Sequence, residues 1–290
     1  MSWLLDAILG ALIIGGFVGL FKISAYKKYH PLAVLTFCFL SSGVVAFILF
    51  HSYVSLTTPG SILCAAVWGI AFSSMSALQM YALKYIDVGV LSPLTSALNL
   101  AGLATLSVLF LHEHISTYAW LGIALVLVII VGMRSKKSPE AGILIPSVFT
   151  NKVIFLCAAI VFINIGYDFF LKYETTHFSI QVIQLYQYFF AAAATLVYAV
   201  CGKTKLREVF KHNLGPSIGW GMILGTLSAF GGYVYYLSVQ KGPFAIANAV
   251  NGLYIIVAVL LAALVFKEKL TWKRVGLVLL SILAVFLMQM

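Results

Sequence analysis

Charge is what this chain has least of. Asp, Glu, Lys and Arg make up only 9% of its 290 residues, 62% are hydrophobic, and the mean hydropathy is +1.06. A soluble domain has about a quarter of its residues charged, so a water-soluble fold is excluded and the chain reads as an integral membrane protein. Cysteine is scarce and scattered: Cys38, Cys64, Cys157 and Cys201 all fall in apolar segments, without the spacing of a disulfide framework or a zinc site. They read as packing residues. Acidic residues number 8 against 18 Lys and Arg, a formal charge of +10. The basic residues are dispersed around apolar runs with no basic helix or RNA-reading motif, which argues against nucleic acid as a partner and makes them topology signals. No Gly-rich, phosphate-cradling loop with a Lys-Ser/Thr ending is present, so ATP is not the expected energy source. The first apolar run lacks a basic leader and a small-residue cleavage site and carries Asp6, so it reads as a retained span.

What remains is long apolar runs. A bilayer core of about 30 Å takes roughly 20 apolar helical residues. On that measure the chain divides into ten spans near 3–24, 31–51, 60–83, 88–111, 116–134, 153–173, 180–201, 216–239, 243–266 and 272–290. The runs are continuous and lack the alternation of outer-membrane strands, so the expected fold is an all-α polytopic membrane protein. Its connections alternate in charge. One set holds Lys27 and Lys28, Lys84, Arg134 with Lys136, Lys137 and Lys152, then Lys203, Lys205, Arg207 and Lys211, and finally Lys267, Lys269, Lys273 and Arg274; the other holds only Lys172 and Lys241. The positive-inside rule makes the first set cytoplasmic and both termini extracytoplasmic, in the cell inner (plasma) membrane.

Offset by 155 positions, "YALKYIDVGVLSPLTSALNLAGLATLSVLFLHEHIS" (81–116) lies on "YLSVQKGPFAIANAVNGLYIIVAVLLAALVFKEKLT" (236–271), with Tyr81 on Tyr236 and Glu113 on Glu268. An offset near half the length suggests duplication. Five spans per copy is odd, so the second copy must be inverted. The organisation expected is a first five-helix repeat over 1–134, a connecting loop over 135–152, and an inverted second repeat over 153–290. Inverted repeats of this kind place a site near the midplane, at the repeat interface.

The five-plus-five spans, the endings "LFLHEHIS…LG" and "LVFKEKLT…VG", and a Gly-rich first span closing in "FVGLFKIS" together resemble the drug/metabolite transporter superfamily, EamA-like branch. The resemblance covers nearly the whole chain. It implies a carrier that exports or exchanges small metabolites, amino acids or drugs without ATP. The family's Glu near the end of each fourth span maps onto Glu113 and Glu268. The residues before these acids are His112 and Lys267, where the family commonly has Gly, and Pro93 in the fourth span has no counterpart at Asn248.

Polar residues at helical spacing inside a span mark a face that avoids lipid. Span four offers Ser92, Thr95, Ser96 and Asn99; span nine offers Asn248, Asn251 and Tyr254, and the offset lays Ser96 on Asn251 and Asn99 on Tyr254. Span seven carries Gln181, Gln184, Gln187 and Tyr188, and span three Ser73, Ser76 and Gln79. The competing explanation for such stripes is interhelical hydrogen bonding, worth roughly 0.6 kcal/mol each in membranes. The candidate substrate-binding set is Gln79, Ser96, Asn99, Asn164, Gln184, Gln187, Tyr188, Asn251 and Tyr254. Span eight adds Tyr233, Tyr236 and Gln240, though tyrosines near span ends read as interfacial-belt residues rather than ligands. Gly15 with Gly19, and Gly221 with Gly225, have the small-xxx-small spacing that lets helices approach closely. Glu113 and Glu268 sit at helix ends, where a structural role suffices. His112 and His114 flank Glu113 but point apart, and two histidines make a poor metal site.

Asp168 stands out in the apolar stretch "INIGYDFFLKY", about 6 Å along the helix from Lys172. The acid precedes the base by four residues, a helix-favourable order, and Lys172 can snorkel outward. Two readings stay open: a gating or coupling pair at the outer lip of a cavity, or a structural pair at a helix end. No cofactor or metal is implied. The expected partners are the lipid bilayer, a small-molecule substrate, and a proton or counter-substrate. A channel or non-transporting scaffold is the alternative, and an intramembrane enzyme is disfavoured because convergent acids, bases or metal ligands are missing from the spans.

Overall fold

The computed structural model describes residues 2–27, 29–86, 88–111, 116–132, 151–201, 214–241, 250–266 and 272–287. Among them are ten α-helices: α1 (Ser2–Tyr26), α2 (Pro31–Phe50), α3 (Pro59–Ala82), α4 (Val88–Leu111), α5 (Thr117–Gly132), α6 (Asn151–His177), α7 (Ile180–Cys201), α8 (Leu214–Lys241), α9 (Tyr254–Phe266) and α10 (Trp272–Leu287). Six of them, α1, α2, α3, α6, α7 and α8, are long and apolar enough to cross a membrane. His112, Glu113, His114, the segment 133–150, Lys203, Lys205, Arg207, Lys211, Asn248, Lys267, Glu268 and Lys269 lie outside the described residues, as do the side chains of Lys22, Pro93 and Lys172.

Local sequence sets the helix starts. Pro31 and Pro59 occupy first-turn positions where a missing N–H costs nothing. Thr58 caps α3: its Oγ1 accepts from Ser61 N at 3.2 Å, and Ser61 Oγ accepts in return from Thr58 N at 2.9 Å. Helix α2 stops at Phe50 and continues as one 3-10 segment over His51–Leu56. Helix α6 runs past its expected end at 173 to His177, which puts Asp168 about 14 Å from the helix terminus.

The outer faces of the helices are apolar and open. Phe155, Phe162 and Leu264 are each more than 70% exposed, which suits hydrocarbon contact and not water. Polar side chains turn inward instead: Thr36, Ser42, Gln184, Gln187 and Thr195 are all buried. Interhelical hydrogen bonds satisfy several of them, as in Thr36 Oγ1 to Thr195 Oγ1 at 3.0 Å and Ser42 Oγ donating to Gly225 O at 2.9 Å.

Helix packing is two-fold in character. The α1–α8 contact is mirrored by α6–α3, α2–α8 by α7–α3, and α1–α9 by α6–α4, while α2–α7, α4–α9 and α5–α10 each join equivalent helices. The match extends to single atoms. A Cβ on Gly225 would run into the Cys38 carbonyl oxygen and Ser41 Cβ, and one on Gly69 into the Gln187 carbonyl oxygen and Phe190 Cβ. Each glycine thus lets its helix touch a neighbouring backbone at the same pair of positions, three residues apart. Gly221 of the expected small-residue pair lies against Val34, Phe37 and Cys38, and Gly15 and Gly19 lie against Val257 and Leu261.

Contact registers also fix helix directions. Asp6 meets Lys241 and Ile13 meets Gly231, so α1 and α8 are antiparallel. Lys152 meets Tyr85 and Tyr167 meets Trp68, so α6 runs against the direction of α3. Gly69 against Gln187 and Ser74 against Tyr198 make α3 and α7 parallel, whereas Thr36 with Thr195 and Gly43 with Phe189 make α2 and α7 antiparallel. Gly221 and Gly225 climb α2 in step, so α2 and α8 are parallel. Together these put α1 and α6 in opposite senses.

Candidate functional site

Between the two halves lies a cavity of about 190 Å³, more than ten times the roughly 10–15 Å³ that one water needs. Both halves build it. From the first come Phe17 and Val18 on α1, Phe72, Met75 and Gln79 on α3, and Thr95, Ser96 and Asn99 on α4. The second contributes Asn164, Tyr167 and Asp168 on α6, Gln187 and Tyr188 on α7, Ser228, Tyr235 and Tyr236 on α8, and Asn251 and Tyr254 at the head of α9.

All the candidate residues read from the sequence therefore line one space, except two. Gln184 is fully buried beneath it, where its Nε2 donates to Ala229 O at 3.1 Å and to Tyr188 Oη at 3.3 Å. It positions Tyr188, whose hydroxyl donates on to Ser228 O at 3.2 Å. The Lys172 side chain lies outside the described residues, and the described partner of Asp168 is on another helix: Asn99 Nδ2 donates to Asp168 Oδ2 at 2.6 Å.

Among the described residues, direct polar contacts cross between the halves at the wall. Ser96 Oγ and Tyr254 Oη are 2.5 Å apart, and the Asn99–Asp168 bond lies one helical turn further along α4. Tyr167 and Tyr236 share a third hydrogen bond, 2.9 Å between hydroxyls, within the second half. Tyr236 is 3% exposed and packs on Trp68 with ring centroids 5.7 Å apart, so the belt reading of this tyrosine is corrected. Its position near a span end is that of a belt residue, but its side-chain contacts with Trp68 on α3 and Tyr167 on α6 hold it inward. Gln181 stays local and accepts from Ser179 Oγ at 2.9 Å.

At the cavity the ninth span is broken. Residues 250–252 are helical, Leu253 is a turn, and Leu253 N and Ile256 N bond back three residues, to Val250 O and Leu253 O, in place of the usual four. This tight interruption delivers Asn251 and Tyr254 to the site. Discontinuous helices beside a cavity are tolerated because the freed backbone does not face lipid.

The profile of the EamA-like transporter family matches residues 1–135 and 151–290, in two repeats. The chain belongs to the EamA-like transporter family. It is accordingly a membrane transporter of small molecules, in a family whose members are transporters and not enzymes. The fold of this EamA-like protein is similar to that of a solved structure titled only "Crystal structure of protein", with a TM-score of 0.61 at 14% identity over 96% of this chain and 95% of that one. No curated protein matches it significantly.

Sequence reading of this EamA-like chain missed the aromatic wall. Tyr167, Tyr235 and Phe72 carried no signal because aromatic residues abound in every span, and their convergence depends on how α3, α6 and α8 cross. Phe72, Met75 and Gln79 do fall at i, i+3 and i+7, a stripe that was visible but had nothing to distinguish it from a packing face.

Proposed function

We propose that this chain is a secondary active carrier of small metabolites, amino acids or drug-like compounds, an exporter or exchanger that works by alternating access. All ten helices cross the inner membrane, with a first repeat over 1–134, a loop over 135–152, and a second repeat over 153–290 that is inverted. The opposite senses of α1 and α6 support the inversion. The two termini are extracytoplasmic by the charge asymmetry of the connections. The residues that bind substrate are Gln79, Ser96, Asn99, Asn164, Gln187, Tyr188, Asn251 and Tyr254, with Asp168 and Lys172 at the gate or in coupling.

The observation that carries this reading is a pair of contacts at opposite ends of the bundle. Lys241 Nζ at the end of α8 meets Asp6 Oδ2 near the start of α1 at 3.0 Å; Lys152 Nζ at the start of α6 meets Tyr85 Oη just past α3 at 2.7 Å. Each ties the first helix of one repeat to the third helix of the other, and the cavity lies between them. Opening one while the other holds would expose the cavity to one side at a time, which is the requirement of alternating access.

Counterflow in ATP-free proteoliposomes tests the proposal. Saturable uptake of labelled solute, accelerated by the same solute inside, is the expected result. Non-saturable flux would identify a channel, and no flux for any solute that stabilises the protein would leave a scaffold.

A further inference from the structure

The cavity is rich in acceptors and poor in cations. Among the described lining residues none is Lys, Arg or His, while Asp168 contributes a carboxylate. Its one described hydrogen bond is from Asn99 Nδ2, and that bond fixes the amide orientation and turns Asn99 Oδ1 away as an acceptor. Asn99 Oδ1, Asn251 Oδ1 and Gln187 Oε1 are all buried at the wall without a hydrogen-bond partner. Gln187 itself is 1% exposed.

Repeat symmetry makes the vacancy specific. The 155-residue offset equates Ser96 with Asn251 and Asn99 with Tyr254. The counterpart of the Ser96–Tyr254 hydrogen bond is therefore Asn251–Asn99, and there no bond forms: both side-chain oxygens lack a donor. Buried acceptors left unpaired are costly, and a carboxylate away from bulk water needs opposite charge or several donors. Aromatic rings share the remaining wall with aliphatic side chains: Phe17, Phe72, Tyr167 and Tyr235 line it beside Ile14 and Met75. Ring faces attract cations and repel carboxylates.

We propose that the substrate is a small primary amine in its ammonium form, carried on an apolar or aromatic body and without a carboxylate. The ammonium supplies one positive charge to Asp168 and three N–H donors for the carboxylate and the amide oxygens. A zwitterionic amino acid would set its own carboxylate in the same space, where no described lining residue is a cation to receive it. A quaternary ammonium keeps the charge but offers no N–H to Asn99, Asn251 or Gln187. This inference rests on the carrier reading only in taking the cavity for the transport site.

The test is a matched ligand series on the detergent-purified full chain, with binding read by thermal shift and calorimetry. The probes are 2-phenylethylamine, 2-phenylethanol, phenylalanine, 3-phenylpropionate and trimethyl(2-phenylethyl)ammonium. The amine is expected to bind roughly tenfold or more tightly than every other member, the scale of a charge-assisted hydrogen bond. Equal or tighter binding of phenylalanine, the alcohol or the carboxylate overturns the proposal. Asp168→Asn is expected to lose the amine preference and Asp168→Glu to recover part of it; if neither variant folds, the wild-type ranking decides by itself. Counterflow of 2-phenylethylamine separates this inference from the carrier reading. Binding of the amine without flux sinks the carrier and keeps the amine site, whereas flux of another solute with no amine binding sinks the amine site and keeps the carrier.

Discussion

Asn99 on α4 donates its amide to the Asp168 carboxylate on α6 across 2.6 Å, joining two helices from different repeats at the wall of the cavity. The contact gives a half-buried acid a described partner that is neutral, so the carboxylate stays available to whatever occupies the cavity.

Asp168→Asn separates a coupling acid from a structural one. If the carboxylate exchanges a proton or a cation during transport, the variant's flux becomes independent of pH while Asp168→Glu keeps the dependence. Asn99→Ala removes the donor and should destabilise the protein by about 1.5 kcal/mol, the size of a hydrogen bond to a charged group. Unchanged pH dependence in Asp168→Asn, with only a lower melting temperature, would assign the residue to structure.

The two end contacts should bias access without greatly changing stability. An exposed ion pair such as Asp6–Lys241 is worth about 0–1 kcal/mol, enough to shift a two-state ratio up to roughly fivefold. In Asp6→Asn, thiol labelling of a cysteine placed at Thr95 should therefore rise from the α1 N-terminal side, and in Lys152→Gln it should rise from the opposite side. The same side responding to both variants would refute opposed gates.

Substituting glycines should divide by location. Gly69→Ala and Gly225→Ala force a Cβ into a neighbouring helix backbone and should each cost about 1–3 kcal/mol, the usual penalty of overpacking. Gly16→Ala and Gly219→Ala, with no heavy atom near the added carbon, should be neutral or stabilise by up to about 1 kcal/mol through helix propensity. Melting temperatures of the four variants check the pattern.

His30, in the short connection before α2, has its pKa lowered from 6.5, first by burial and second by the nearby positive charge of Lys84. The unfolded chain therefore takes up a proton before the folded one does, and the stability His30 contributes is present above pH 6.5 and declines as pH falls below it. Thermal stability of the wild type should drop across that interval, and His30→Gln should drop less. Lys84→Gln should narrow the difference only in part, because burial is the larger cause.

Much was settled by the sequence alone, because some signals are one-dimensional. Hydropathy runs mark helices long enough for a bilayer, since a span must satisfy its backbone within itself; Pro31, Thr58 and Pro59 mark helix starts through local chemistry; and the half-length offset marks a duplication whose two profiles match 1–135 and 151–290. Polar stripes on spans four, seven and nine could be read for a similar reason, since a polar side chain inside an apolar run must face away from lipid. What they face is a matter of helix crossing, and no spacing rule contains it. Only the tertiary structure turned Tyr236 inward, buried Gln184 beneath the wall, and assembled Tyr167, Trp68 and Phe72 into an aromatic face. It also brought Asn99 to Asp168, a residue 69 positions away to which no local spacing connects it. The reason is geometric: the close approach permitted at Gly69 and Gly225 sets how the repeats interlock, and that interlock decides which acid meets which amide.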